Sequence, residues 1–170
     1  MPRPDLKQVP KWYHGYINQV KGNDFLPEMK AQGSDMIRFL KKIPEAKRNF
    51  RYSKGKWTLI ELVQHMLDAE RIFAYRALCF ARKEKISLPS FDENEYAAHS
   101  KAGKRAWDGL LNEFKTLRLS NEIMFASFDK DQLKTTGIAN NNSFSVNAIG
   151  FIMVGHVNHH MRIISERYLS

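Results

Sequence analysis

The stretch SVNAIGFIMVGHVNHHMRIISERY, residues 145–168, decides the fold class. It overlaps the longest charge-free run, residues 135–161, whose truly apolar part covers only 144–155. A bilayer span needs about 20 predominantly apolar residues. Asn147, His156, Asn158, His159 and His160 interrupt or flank this run. It therefore reads as a buried helix of a cytoplasmic protein, not as a membrane helix. Ser143 or Ser145 can cap its start. Ile149, Ile152, His156, His160 and Ile163 recur at spacings of three and four, which is one helical face. Two imidazoles thus share the inward face.

Upstream, YSKGKWTLIELVQHM (52–66) opens another helix. Thr58 followed by Glu61 is a capping-box pattern, and the helix should run to about residue 82. Leu62, His65, Ala69 and Ile72 form its apolar stripe, so His65 lies among apolar residues. An earlier helix over 26–42 carries Met29, Met36, Ile37, Phe39 and Leu40, is weakened by Gly33 and is stopped by Pro44. A later one over 106–128 has Leu110, Leu111, Phe114, Leu117, Ile123 and Met124 on its apolar side. Between them, residues 83–104 form a long connection with one short helical turn near 92–98. A segment of that length can run the length of a bundle, leaving the next helix parallel to its predecessor. DKDQL (129–133) reads as a short turn and TGIANNN (136–142) as a loop. Residues 1–23 show no sustained period, and Trp12, Tyr13, Tyr16 and Ile17 suit an arm docked on the body. No alternating strand run appears. The expectation is an all-α four-helix bundle forming a single domain over 1–170.

Composition narrows the function classes. The chain of 170 residues contains 11 Phe, 6 Tyr and 3 Trp, which excludes low-complexity disorder. Its one cysteine, Cys79, excludes an intramolecular disulfide and any multi-cysteine zinc site. As a structural thiol Cys79 needs nothing more; as a nucleophile it lacks an evident basic partner. The N-terminus has no apolar core of signal-peptide kind. The net charge of +9 permits acidic partners, but the lysines and arginines are scattered.

Chemistry is best sought in the histidines. Four residues apart on a helix, His156 and His160 can both reach one metal ion. His65 from another helix can supply a third imidazole, leaving a position for water. Against this, a histidine on an apolar stripe is often a hydrogen-bonded core residue. Burying imidazoles without partners costs about 1–3 kcal/mol each, and a shared metal removes part of that cost. His159 competes with His160, which is better aligned with Ile149, Ile152 and Ile163. His159 would then sit beside the site. His14 and His99 fall in irregular segments and are not expected to ligate. Glu61 can accept from a ligand imidazole, or serve only the capping box. Glu70 can form an ion pair with Arg71, Arg76 or Arg167.

Several segments together resemble the DinB/YfiT-like superfamily. They are Tyr52-Ser53-Lys54-Gly55-Lys56-Trp57, Glu61-Leu62-Val63-Gln64-His65, the run 68–78 (DAERIFAYRAL), Leu88-Pro89-Ser90-Phe91-Asp92, Gly155-His156-Val157-Asn158-His159-His160 and Glu166-Arg167-Tyr168-Leu169. The aromatic lead-in Trp12-Tyr13 and Tyr16-Ile17 is also similar. The resemblance implies a four-helix bundle of up-down-down-up topology with a long crossover between helices 2 and 3. It implies His65, His156 and His160 as ligands of a divalent metal, Zn2+ or Ni2+, and a homodimer. Relatives include S-transferases using low-molecular-weight thiols, isomerases of the maleylpyruvate type, and metal-dependent hydrolases of unknown substrate. The family's association with DNA damage concerns induction and does not imply DNA binding.

The leading expectation is a metal-dependent enzyme, hydrolase or thiol S-transferase, acting on a small molecule. An open metal position acidifies bound water or thiol. The residue pattern shows no general base. The alternative is a non-catalytic bundle that binds a small ligand or a metal. A nucleic-acid-binding role would rest on Lys41, Lys42, Lys47, Arg48, Arg51, Lys54 and Lys56, with Phe50 and Tyr52 interleaved; a solvated basic loop accounts for that cluster more simply.

Overall fold

The structure, a computed structural model, describes residues 2–170. After a short 3-10 turn at Leu6–Gln8 come helices α1 (Lys11–Ile17), α2 (Phe25–Lys41), α3 (Glu45–Arg48), α4 (Leu59–Ala81), α5 (Glu93–His99), α6 (Trp107–Ala126) and α7 (Lys130–Lys134). Strands β1 (Thr136–Ala139) and β2 (Asn142–Ser145) precede α8 (Val146–Ile163), which continues as a π-helical turn, Ile164–Tyr168. The long helices α2, α4, α6 and α8 make the bundle. Among the described residues, no helix is long and apolar enough to cross a membrane.

The starts of α4 and α8 follow their local sequences. Thr58 and Glu61 form the reciprocal capping box, with Thr58 N–H donating to Glu61 Oε2 at 2.7 Å. Of the two candidate serines, Ser145 caps α8, its hydroxyl accepting from Ala148 N–H at 3.1 Å.

The core has two apolar halves. One joins Met36 and Leu40 of α2, Leu62 and Leu67 of α4, Leu110 and Phe114 of α6, and Val157 of α8. The other joins Phe25 and Met29, Phe73 and Phe80, Phe125, and Ile149 and Ile152 of the same four helices. Hence α2 and α8 run one way while α4 and α6 run the other. Helix α4 packs between α6 and α8, and α2 closes the ring against both.

Between the halves each long helix interrupts its apolar stripe with buried polar residues: Gln32, Glu70, Arg118 with Asn121, and His156. Glu70 Oε2 accepts from Arg118 Nη2 at 2.8 Å, and its Oε1 from Asn121 Nδ2 at 2.9 Å. Gln32 Nε2 donates to Val154 O and to Asn158 Oδ1, both at 2.7 Å. Gly33 makes room for Arg118, since a Cβ there would lie 3.0 Å from Arg118 Cγ.

Several expectations need correction: 130–134 is a short helix and not a turn, and His14 and His99 lie on α1 and α5 and not in irregular segments. Residues 136–145 are an antiparallel hairpin, not a loop, in the register Thr136↔Ser145 to Ala139↔Asn142. Its two-residue turn, Asn140-Asn141, has φ of +50° and +58°, which asparagine tolerates better than most residues. The arm contains a true helix, α1, which docks through Ile17 on the core. On α6, Ile123 faces solvent while Arg118 and Asn121 turn inward. Finally, Glu70 pairs with Arg118 and not with Arg71, Arg76 or Arg167. A buried carboxylate needs a buried cation, and the packing of α4 on α6 supplies it.

Candidate metal centre

Helices α4 and α8 lie side by side, and each turns its imidazoles toward the other. His65 Nε2 lies 3.1 Å from His156 Nε2, which lies 3.0 Å from His160 Nε2. One ring nitrogen from each of the three lies within 4.8 Å of the others. All three residues are buried. They are the only such group of potential metal-binding side chains among the described residues.

The surroundings fix the rings. Trp57 packs against His65 in a tilted arrangement with centroids 4.7 Å apart. It is held in turn by Tyr168, whose hydroxyl donates to Trp57 O at 2.8 Å. Tyr168 sits at the end of the π-helical turn, closed by Leu169 N–H donating to Ile164 O at 3.1 Å. On the other side, Tyr16 meets His156 edge-on at 5.3 Å, and Phe73 does so at 5.9 Å. Tyr16 reaches His156 because Gly155 lets α1 touch the α8 backbone. A Cβ at 155 would stand 2.0 Å from Tyr16 O. Asn158 Nδ2 donates to Gln19 O at 3.1 Å and ties down the segment after α1.

Electrostatics favour neutral rings. Burial lowers the pKa of His65 from 6.5 to about 4. Burial, reinforced by the neighbouring imidazoles, holds His156 and His160 well below their ordinary value. A neutral imidazole can present a lone pair, which is the state a metal requires. Each ring nitrogen carries one lone pair or one proton. At most one of the two contacts at His156 Nε2 is therefore a well-directed hydrogen bond. His160 Nδ1 is buried with no hydrogen-bond partner, which adds to the cost of this arrangement. Three converging nitrogens of this kind fit one shared divalent cation.

The trio floors a cleft of about 390 Å³. Its walls are Trp12, Tyr13 and Tyr16 from α1, Trp57 and Phe73, and Ser90, Phe91 and Glu93 from the long connection. The N-terminal arm and the long connection thus both contribute to its lining. Arg76 also lines it and went unremarked as a site residue. The spacing carries the signal, because Arg76 follows His65 by eleven residues, just over three full turns and so on the same face.

Other sequence candidates lie elsewhere. Glu61 is engaged in the capping box and makes no hydrogen bond to the three imidazoles. His159 is half-buried, packs edge-on against Tyr16 at 5.3 Å and lies 5.0 Å from the His160 ring. It stands beside the trio and outside it. His14 Nε2 pairs with Val9 O, and His99 Nδ1 with Glu95 O, both at 2.8 Å. Cys79 is half-buried against the second apolar half.

The DinB superfamily model matches residues 28–164, which include all three histidines. The chain belongs to the DinB superfamily. Among solved structures, this DinB-superfamily chain is similar to YfiT from Bacillus subtilis, described as a probable metal-dependent hydrolase with an unusual four-helix bundle topology. The TM-score is 0.74 at 16% identity, over 97% of this chain and 91% of that one. It is also similar to the mycothiol-dependent maleylpyruvate isomerase, with a TM-score of 0.65 at 14% identity over 89% of this chain. This DinB-superfamily chain spans 62% of the isomerase's length. At these identities the likeness shows the shared fold. No curated protein matches the chain in sequence.

Proposed function

We propose that the protein is a metal-dependent enzyme in which His65, His156 and His160 hold one divalent ion, Zn2+ or Ni2+. The observation that carries this reading is the convergence of three buried ring nitrogens from two helices at the floor of an aromatic cleft. When bound, such an ion acidifies a coordinated water or thiol, so that a nucleophile forms near neutral pH. The protein's own part is to keep the imidazoles unprotonated, to fix them between Trp57, Tyr16 and Phe73, and to shield the floor from bulk water. The reaction is hydrolysis or thiol S-transfer on a small molecule, with a low-molecular-weight thiol as a candidate co-substrate. The mycothiol dependence of one structural neighbour supports the thiol alternative.

The test is metal binding itself. Protein stripped by chelator should take up one Zn2+ or Ni2+ per chain by calorimetry and elemental analysis. His65→Ala, His156→Ala and His160→Ala should each weaken uptake strongly, while His14→Ala and His99→Ala should not. Uptake unchanged by all three cluster substitutions would overturn the proposal.

A further inference from the structure

Three charged side chains are buried among the described residues: Glu70, Arg76 and Arg118. Glu70 and Arg118 pair with each other. Among the described residues, Arg76, only 3% exposed, has no carboxylate within ion-pairing distance. Its one hydrogen bond runs from Nη2 to Pro89 O at 2.8 Å. Glu93, the acidic residue of the same cleft, is exposed and forms no ion pair with it. A buried cation without a counter-charge costs several kcal/mol. Arg76 is also placed for use, because its side chain lines the cleft floored by the imidazoles.

We infer that Arg76 binds a carboxylate carried by the ligand of this cleft. The inference rests on reading the cleft as the substrate site. One guanidinium matches one negative charge, so a carboxylate monoanion fits better than a phosphate dianion, which would stay half-neutralised. With one Nη2 hydrogen committed to Pro89 O, further N–H groups remain, and the guanidinium fork suits the two oxygens of a carboxylate. From His65 to Arg76 the helix rises about 16 Å, and an arginine side chain leans back toward the N-terminus. The anionic end of the ligand is therefore separated from the imidazoles by an apolar stretch, flanked by Ala69, Phe73 and Tyr13. The ligand class is an elongated carboxylate with an apolar body whose reacting end reaches the histidines.

The probes are phenylacetate and its uncharged counterpart phenylacetamide, titrated into the full chain both metal-free and Zn2+-loaded. Calorimetry gives affinities, and the arginine side-chain N–H resonances report the contact. Phenylacetate should bind at least about tenfold more tightly than the amide, as a charge-assisted hydrogen bond implies, in the metal-free protein as well as in the loaded one. It should shift the Arg76 Nε–H signal. Arg76→Met should abolish the discrimination while leaving amide affinity within about twofold. Arg76→Lys keeps a donor for Pro89 O but loses the fork, and should retain only part of the preference. A purely loop-holding role for Arg76 predicts that Met weakens both probes equally, and that result overturns the inference. So do equal affinities for the two probes in the unsubstituted protein, failure of phenylacetate to bind either form, or a preference confined to the Zn2+-loaded form that survives Arg76→Met. Failure of Zn2+ to bind, with the preference intact in metal-free protein, would sink the metal reading and leave the Arg76 assignment standing.

Discussion

Acid should destabilise the metal-free protein through its buried imidazoles. Burial lowers the His65 pKa from 6.5 to about 4, so the native state binds this proton less readily than the unfolded chain. A depressed native pKa gives stability that is complete above 6.5 and is lost as the pH falls toward 4. At pH 5 the unfolded imidazole is almost fully protonated while the native one is mostly neutral. The loss from His65 alone is then about 2 kcal/mol relative to pH 8, reaching about 3 kcal/mol at pH 4. His156 and His160 shift in the same direction, so the total slope exceeds that of one proton. Urea denaturation of chelator-stripped protein at pH 8, 7, 6 and 5 measures it. Carboxylates titrate in the lower part of this range, so the informative quantity is a difference. Replacing His65 by Gln removes its titration, and the stability of wild type relative to His65→Gln should fall by about 2 kcal/mol between pH 8 and pH 5. Protons compete with a metal for the same nitrogens, so stabilisation by added Zn2+ should shrink over the same window. A midpoint constant from pH 8 to pH 5, or identical slopes for wild type and His65→Gln, would refute the buried neutral cluster.

Two further outcomes follow from the packing. Gly155→Ala puts a Cβ 2.0 Å from Tyr16 O, so α1 must move off α8; a cost of about 1–3 kcal/mol and faster proteolysis of the first 20 residues are expected, and wild-type behaviour in both assays would count against the docked arm. Arg118→Met leaves Glu70 buried without its cation and should cost about 3–5 kcal/mol in chemical denaturation; adding Glu70→Gln should recover part of the loss, whereas simple addition of the two single effects would deny the pair.

The elements legible in the sequence were those with local signals. Thr58 with Glu61 marked the start of α4, Ser145 was one of two serines offered for α8, and the spacing of His156 and His160 is a property of one helix. What escaped depends on distant partners. Ile123 was assigned inward because isoleucine is apolar, but α6 turns Arg118 and Asn121 to the core, since Glu70 lies across from them on α4. No periodicity within α6 can reveal a carboxylate 48 residues away. The hairpin was hidden by its composition: Asn140-Asn141 marked a turn, yet β1 and β2 are four residues each, and β1 is anchored by Leu88, whose N–H donates to Ile138 O at 2.9 Å. Helix α1 has only seven residues, too few for a period to show, and it is stabilised by docking on α8.

The polar layer between the two apolar halves explains why the site lies where it does. A buried polar group must find a partner across the bundle or lose about 1–3 kcal/mol. Gln32 finds Asn158 and Val154, and Glu70 finds Arg118 and Asn121. In both sets a donor faces an acceptor, so they knit α2 to α8 and α4 to α6. The remaining set joins α4 to α8 and is built differently. There nitrogen faces nitrogen, and the same burial that costs the rings their water keeps them from protonating to form a bridge. Proton sharing at His156 Nε2 cannot satisfy both contacts, whereas one cation accepting three lone pairs can satisfy all three rings. The set without an internal partner is also the one that floors the cleft. Structural demand and access thus coincide at His65, His156 and His160, and that coincidence separates them from Gln32, Glu70, Arg118 and Asn121.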